Sequence, residues 1–269
     1  MYLPESILNP NINHVLESVH ILHTIAASLP NELILIRTAK DLRETEKNNQ
    51  IGAILSLEGV EGLNGQVSHL ETLYQLGVRA VGFTWNYANW AADGIMEPRN
   101  GGFTLKGRKL IETCKRLGMI MDVSHISVAG FWELVERTDV PFIASHSNAY
   151  KLCPHPRNLR DDQIKAIVAT GGRIGITFVP KFAKREGCAS ISDLLKHIDH
   201  VCGLGGEYNV GFGSDFDGTD HHVRGLENAG EYENLINALL KHYKEEQVRC
   251  FAYLNWRKFF CSNGCRVDC

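Results

Sequence analysis

The sequence lacks an apolar run close to the roughly 20 residues that a membrane-spanning helix needs, and residues 1–5 lack the basic and then apolar pattern of a signal peptide. It also lacks a charge excess, because 28 Lys and Arg stand against 31 Asp and Glu. This balance predicts neither a nucleic-acid surface nor an acidic disordered tail. We therefore expect a cytoplasmic protein without a nucleic-acid or membrane partner, and we leave a homodimer open.

The eight cysteines do not follow the spacing of a zinc finger. Five of them are scattered along the chain, and a core of this size does not need disulfide bonds, so we predict reduced thiols. The other three, Cys261, Cys265 and Cys269, recur every four residues without a closer pair. We predict that residues 261–269 form a disordered, cysteine-containing tail.

Short apolar runs alternate with amphipathic stretches along most of the chain. The runs are β-branched or small and are bounded by Gly, Pro or polar residues, which is typical of buried strands. They cover residues 51–57, 78–84, 119–124, 141–145, 173–178 and 209–214. Amphipathic patterns predict helices over residues 105–117, 128–137, 161–170 and 191–204.

This repetition of strand and helix predicts an α/β protein in which helices cover a parallel sheet. Six units without a change of composition favour a (β/α)8 barrel in a single domain, residues 1–260, over an open doubly wound sheet. The count is short of eight. A seventh run, residues 32–37, has no evident place in the barrel.

The residues that close the apolar runs carry candidate chemistry, because a barrel enzyme places its reactive side chains at the carboxyl ends of its strands. Glu58, His125, His146 and Asp215 each follow a different run. A single histidine there is more often a hydrogen-bonded core residue. Four such residues at four strand ends instead predict a site for a zinc-like metal.

The local sequence around these residues is more specific than the residues alone. The chain contains, in order, Leu57-Glu58-Gly59, Phe83-Thr84-Trp85-Asn86, Asp122-Val123-Ser124-His125, Ser145-His146-Ser147, Pro156-Arg157-Asn158, Gly213-Ser214-Asp215-Phe216-Asp217-Gly218 and Gly225-Leu226-Glu227. These motifs resemble the membrane (renal) dipeptidase family of metallopeptidases, and the resemblance extends from about the first residues to about Phe260.

The resemblance implies a centre of two metal ions, usually zinc. Glu58 would bridge the metals as a catalytic carboxylate, His125 and His146 would bind one of them, and Asp215 would bind the other and transfer protons as a catalytic acid and base. Arg157, with Asn158 beside it as a second substrate-binding residue, would hold a carboxylate. The expected reaction is hydrolysis, by metal-activated water, of a dipeptide with a free C-terminal carboxylate.

The sequence also departs from the family pattern. No His-x-Asp pair precedes Glu58, and Trp85 stands where some relatives carry a substrate-binding histidine. We therefore expect a barrel without its first strand and most of its second, one incomplete metal site, and weak activity or none. Two alternatives stay open: a catalytically impaired or non-catalytic remnant that binds metal, and another amidohydrolase that acts on cyclic amides or lactones.

Overall fold

The structure, a computed structural model, describes residues 10–264 and divides the chain into two compact units. One unit consists of residues 10–140 together with 259–264, and the other consists of residues 141–258. The prediction of a single domain over residues 1–260 stays a prediction. Cys265 and Cys269 of the predicted tail lie outside the described residues.

The first unit alternates strands and helices. Its elements are α1 (Ile12–Ser28), β1 (Leu33–Leu35), α2 (Ala39–Asn48), β2 (Ile51–Ala53), β3 (Leu55–Glu58), α3 (Val67–Gln75), β4 (Val78–Gly82), α4 (Leu105–Leu117), β5 (Ile120–Asp122) and α5 (Val128–Arg137). A π-helical turn, Phe260–Gly264, also belongs to this unit. The predicted bounds of α4 and α5 are confirmed.

The apolar run over residues 51–57 forms two strands, so the prediction of one strand was wrong. β2 pairs in parallel with β1, which is the run over residues 32–37, and β3 pairs in parallel with β4. Burial explains the division. Leu55 and Leu57 are buried, whereas Ile51 is 70% exposed at the edge of the β1–β2 pair. A uniformly apolar run does not reveal which strand its halves will pair with.

The carboxyl ends of β3, β4 and β5 lie at one level. Glu58 is opposite Gly82, and Gly82 is opposite Asp122, in two parallel ladders. Asp122 accepts a hydrogen bond from the backbone N–H of Ser124 at 3.0 Å, so its carboxylate caps the turn that follows β5. This turn leads directly to His125. The register therefore places residues 58 and 125 at the same edge.

The second unit repeats the pattern. Its elements are β6 (Ile143–Ala144), α6 (Asp161–Ala169), β7 (Arg173–Ile176), α7 (Pro180–Ala183), α8 (Ile191–Gly203), β8 (Val210–Phe212), α9 (Tyr232–Leu239) and α10 (Glu245–Arg249), followed by a π-helical turn, Cys250–Leu254. The chain continues into α11 (Asn255–Phe259). β6, β7 and β8 are parallel neighbours.

Two glycines let the ends of these three strands approach closely. A Cβ atom on Gly175 or on Gly213 would lie 1.9 Å from the backbone oxygen of Ser145. Any larger residue at either position would push apart the segment that carries His146. The glycines therefore fix the strand ends that hold the candidate site of this unit.

Helix α8 begins at a hydrogen-bonded N-cap. Ser190 and Asp193 form a capping box, and Lys196 lies 2.8 Å from the Asp193 carboxylate. Burial raises the pKa of Asp193, but the hydrogen bonds from Lys196 and Ser190 outweigh this effect and hold the pKa at about 2. The helix start is thus fixed beside a carboxylate that stays ionised at neutral pH.

The structure confirms the predicted α/β class with parallel strands. The five scattered cysteines, Cys114, Cys153, Cys188, Cys202 and Cys250, are free thiols in the structure, and so is Cys261. Across this same part of the chain, none of the helices combines the length and the apolar character that crossing a membrane requires.

Candidate metal centre

Glu58 and His125 meet at the edge of the first unit. The Nε2 atom of His125 lies 2.8 Å from Oε1 of Glu58. His125 is 7% exposed and Glu58 is 30% exposed, so the pair is open to solvent on the side of the carboxylate. A neutral imidazole and a carboxylate oxygen are both zinc ligands. This pair is the part of the predicted ligand set that lies within one unit.

The other ring nitrogen of His125 is already engaged. Nδ1 donates to the side-chain oxygen of Asn86 at 3.0 Å. This bond fixes the ring orientation and leaves Nε2 as the nitrogen that faces Glu58. Metal-binding histidines are held in the same way, by an acceptor on the nitrogen that does not bind the metal. Asn86 is therefore a positioning residue for His125.

The loop after β4 connects Asn86 to His125 through its backbone. Ile95 N–H donates to the His125 carbonyl at 2.6 Å, and Met96 N–H donates to the Asn86 carbonyl at 2.8 Å. Gly94 makes this possible, because a Cβ atom there would lie 2.4 Å from the backbone of Trp85 and Asn86. The loop thus holds His125 and its hydrogen-bond acceptor, Asn86, in a fixed position relative to each other.

The backbone conformation marks two of the predicted site residues. Five residues other than glycine adopt a positive φ within the described part of the chain, and three of these are asparagines, which tolerate that conformation. The other two are His125, with a φ of 73°, and Asp215, with a φ of 60°. Left-handed residues that are not glycine cluster at functional sites, where the surrounding structure maintains the strain.

We expect Asn86→Ala to weaken metal binding by about 10- to 100-fold, because the His125 ring loses the acceptor that orients it. Asn86→Asp, which keeps an acceptor oxygen in place, should retain the affinity. Competition with a chromophoric chelator measures both zinc affinities. An Asn86→Ala variant that binds zinc as tightly as the unaltered protein would show that Asn86 does not position His125.

In the second unit, His146 follows β6 and contacts its own neighbour. Its Nδ1 lies 2.7 Å from Oγ of Ser145. Its backbone oxygen lies 3.5 Å from Nη2 of Arg157, eleven residues further along the chain. The predicted metal ligand and the predicted carboxylate-binding residue therefore lie side by side within this unit.

Arg157 is 5% exposed and packs its guanidinium over the ring of Phe182, 5.6 Å from the ring centroid. His155 packs against the same ring at 4.5 Å. Burial, followed by the nearby charges of Lys181 and Arg157, lowers the pKa of His155 below its ordinary value. His155 is therefore neutral at pH 7, so Arg157, and not His155, carries a positive charge beside the Phe182 ring.

Asn158 is occupied by the protein itself. Its amide nitrogen donates to the backbone oxygens of Cys153 and Phe182, both at 2.8 Å, and its side-chain oxygen accepts from the N–H of Asn148. These contacts fix the loop that carries Arg157. The prediction that Asn158 binds substrate stays a prediction. These hydrogen bonds indicate that Asn158 positions the adjacent Arg157.

Asp215 is half-buried and follows β8 on a tight turn, in which Gly218 N–H donates to the Asp215 backbone oxygen at 3.0 Å. A cluster of four aromatic rings lies beside the turn, with neighbouring centroids 5.6–6.0 Å apart. The rings belong to Phe178, Phe212, Phe216 and Tyr232. Burial raises the pKa of Tyr232, so this support is uncharged at neutral pH. The aromatic cluster thus packs beside the turn that carries Asp215.

Other candidates have structural partners. Glu61, three residues beyond Glu58, accepts a hydrogen bond from the Asn89 amide at 3.0 Å. Trp85 lies beside the His125 ring, with ring centroids 6.0 Å apart. The sequence did not reveal the role of Asn86. Its one available signal was a polar residue two positions after the end of the run over residues 78–84.

Comparison with known proteins agrees with this fold. The chain is 33% identical over 235 residues to "Dipeptidase aclJ" of Aspergillus oryzae, a match that covers 85% of this chain and 56% of that protein. The chain thus spans little more than half the length of this curated relative.

Two solved structures share the fold. A metallo peptidase from Rhodobacter sphaeroides, solved with a phosphinate mimic of the dipeptide L-Ala-D-Ala, is 28% identical with a TM-score of 0.84, over 92% of this chain and 73% of that chain. The metallo peptidase dipeptidase AC is 26% identical with a TM-score of 0.88, over 95% and 79%.

A family model describes the same class of protein, a metal-dependent peptidase. The model of the membrane dipeptidases, peptidase family M19, matches residues 1–261. The chain belongs to this family.

Proposed function

We propose that the protein hydrolyses dipeptides that have a free C-terminal carboxylate, with the help of a bound divalent metal. The observation that carries the proposal is the contact between Nε2 of His125 and Oε1 of Glu58, with Asn86 holding the other ring nitrogen. Membership of the membrane dipeptidase family supports it.

Glu58, His125 and His146 are the proposed ligands of one metal ion. One carboxylate oxygen and two imidazole nitrogens suit zinc and leave a coordination position open. When bound, the metal would supply Lewis-acid polarisation and lower the pKa of water. No His-x-Asp pair precedes Glu58, and the proposal is therefore one ion per chain.

Asp215 and Arg157 are proposed to act on the substrate. Arg157 offers a buried, planar cation, which grips a carboxylate through two parallel hydrogen bonds and so selects peptides with a free C-terminus. Asp215, held half-buried on its turn, would take a proton from the attacking water and pass it to the leaving amine. Both proton transfers require that the same carboxylate reach the attacking water and the leaving amine. The position of Asp215 at the end of β8 favours this.

The test is an assay with a panel of dipeptides, with and without added zinc, together with the same dipeptides amidated at the C-terminus. We expect slow hydrolysis that depends on zinc and is lost upon chelation, and we expect the amidated peptides to be spared because they offer Arg157 no carboxylate. Equal cleavage of both sets would exclude the role of Arg157. Zinc binding without any cleavage would favour the non-catalytic remnant.

A further inference from the structure

The second unit contains a cavity that the proposed mechanism does not use. Its volume is about 750 Å³. Its walls come from two loops, residues 179–189 and 218–227, which a hydrogen bond from Arg224 N–H to the Ala189 backbone oxygen joins at 3.1 Å. Gly218, on the turn of Asp215, forms part of the wall. The cavity therefore borders the turn that carries Asp215.

The cavity wall carries more positive than negative charge. Four cations line it, Lys181, Lys184, Arg185 and Arg224, against two carboxylates, Asp220 and Glu227.

The positive charge of Lys184 is paired, because its Nζ lies 3.6 Å from the Asp193 carboxylate. Glu227 accepts a hydrogen bond from Gly225 N–H at 3.0 Å, which lowers its pKa and holds it on its own loop. Lys181, Arg185 and Arg224 make no ion pair with a described residue. They are the cations available to a ligand.

One of these cations is close to Arg157. Lys181 lies over the ring of Phe182, with its Nζ 5.1 Å from the centroid, and the Arg157 guanidinium lies 5.6 Å from the same centroid. Both charges also lower the pKa of His155. A ligand whose α-carboxylate met Arg157 would therefore have a second cationic region beside the same aromatic ring.

We propose that this cavity binds a second carboxylate of the substrate, the acidic side chain of a C-terminal Asp or Glu. The inference rests on the proposed function, because it takes Arg157 as the residue that binds the α-carboxylate. A free anion such as phosphate shares this chemistry. The cavity wall includes Gly218 and Lys181, and Lys181 contacts the same Phe182 ring as Arg157, which favours a group attached to the substrate.

The test compares two non-hydrolysable dipeptide isosteres, Ala-Glu and Ala-Gln with the peptide carbonyl replaced by methylene, by calorimetry on the full chain with zinc. The two differ in one negative charge and little in shape. We expect Ala-Glu to bind about fivefold more tightly at low salt, since exposed ion pairs contribute modestly. The difference should shrink at high ionic strength because exposed charges are screened.

The cavity variant replaces three exposed cations by glutamine, and a control removes the same charge from exposed positions that do not line the cavity. The cavity variant is Lys181→Gln/Arg185→Gln/Arg224→Gln, and the control is Lys165→Gln/Lys241→Gln/Arg249→Gln. We expect the preference for Ala-Glu to vanish in the first and to persist in the second. Titration with inorganic phosphate measures the affinity for a free anion.

The outcomes separate the two proposals. Equal binding of the two isosteres, or a preference that both variants lose alike, would overturn the acidic-substrate inference and leave the dipeptidase proposal standing. Phosphate binding that depends on the three cations, without a preference for Ala-Glu, would assign the cavity to a free anion and overturn the inference. Failure to bind either isostere would overturn both proposals.

Discussion

Replacing Glu58 by glutamine is expected to lower zinc affinity by at least 100-fold and to abolish the zinc-dependent hydrolysis. Glutamine keeps the shape of the side chain but loses the negative charge that faces Nε2 of His125 at 2.8 Å. Metal polarisation contributes several kcal/mol to catalysis, which corresponds to a loss of roughly 10²–10⁴ in kcat.

Glu61→Gln is the matched control. Glu61 lies three residues further along, and its carboxylate is engaged by the Asn89 amide. The same change of charge at this position should leave zinc affinity unaltered. Chelator competition and dipeptide assays on both variants make the comparison. Metal loss in Glu61→Gln but not in Glu58→Gln would move the ligand to residue 61 and contradict the assignment.

Replacing Arg157 by alanine is expected to raise the Kd of a dipeptide isostere, and the KM of any dipeptide that is cleaved, by about 10- to 100-fold. A hydrogen bond to a charged group contributes roughly 1.5–3 kcal/mol. Zinc content should not change, because Arg157 is not one of the proposed metal ligands and its hydrogen bond to His146 goes to the backbone oxygen rather than to the ring. The loss should therefore appear in substrate binding alone.

Arg160→Ala controls for the loss of positive charge in the same segment, since Arg160 is exposed and lies over the Tyr150 ring at 4.9 Å. Arg157→Lys keeps the charge but not the paired donors, so it should restore affinity only in part. Thermal unfolding monitors the fold of all three variants. Unchanged dipeptide affinity in a folded Arg157→Ala variant would remove the basis for a substrate with a free carboxylate.

Local patterns predicted much of the fold. α4 and α5 were predicted at their observed bounds because their apolar periodicity coincides with clear starts and stops, such as Gly118 at the end of α4, where φ is 68°. The division of residues 51–57 was not predictable, because strand pairing is decided by contacts with distant segments. Ala53 and Leu55 pair with different strands although they lie two residues apart.

The candidate site was predictable where a residue closes a strand, and not where its role depends on a distant contact. Strand ends identified Glu58 and His125. Asn86 acquires its role only because folding brings its amide to a histidine 39 positions away. The cationic cavity was missed for the same reason, since Lys181 and Arg224 stand far apart in the sequence and only the loop pairing near Ala189 brings their segments together.

Zinc content after exhaustive dialysis tests the central claim most directly. Elemental analysis of the purified chain, after zinc addition and dialysis, should give about one zinc ion per chain, since three protein ligands suffice for a site of the catalytic type. The variant Glu58→Gln/His125→Ala/His146→Ala, treated in the same way, should retain none. A folded, unaltered chain that takes up no zinc, or a triple variant that keeps its zinc, would contradict the metal centre proposed for this protein.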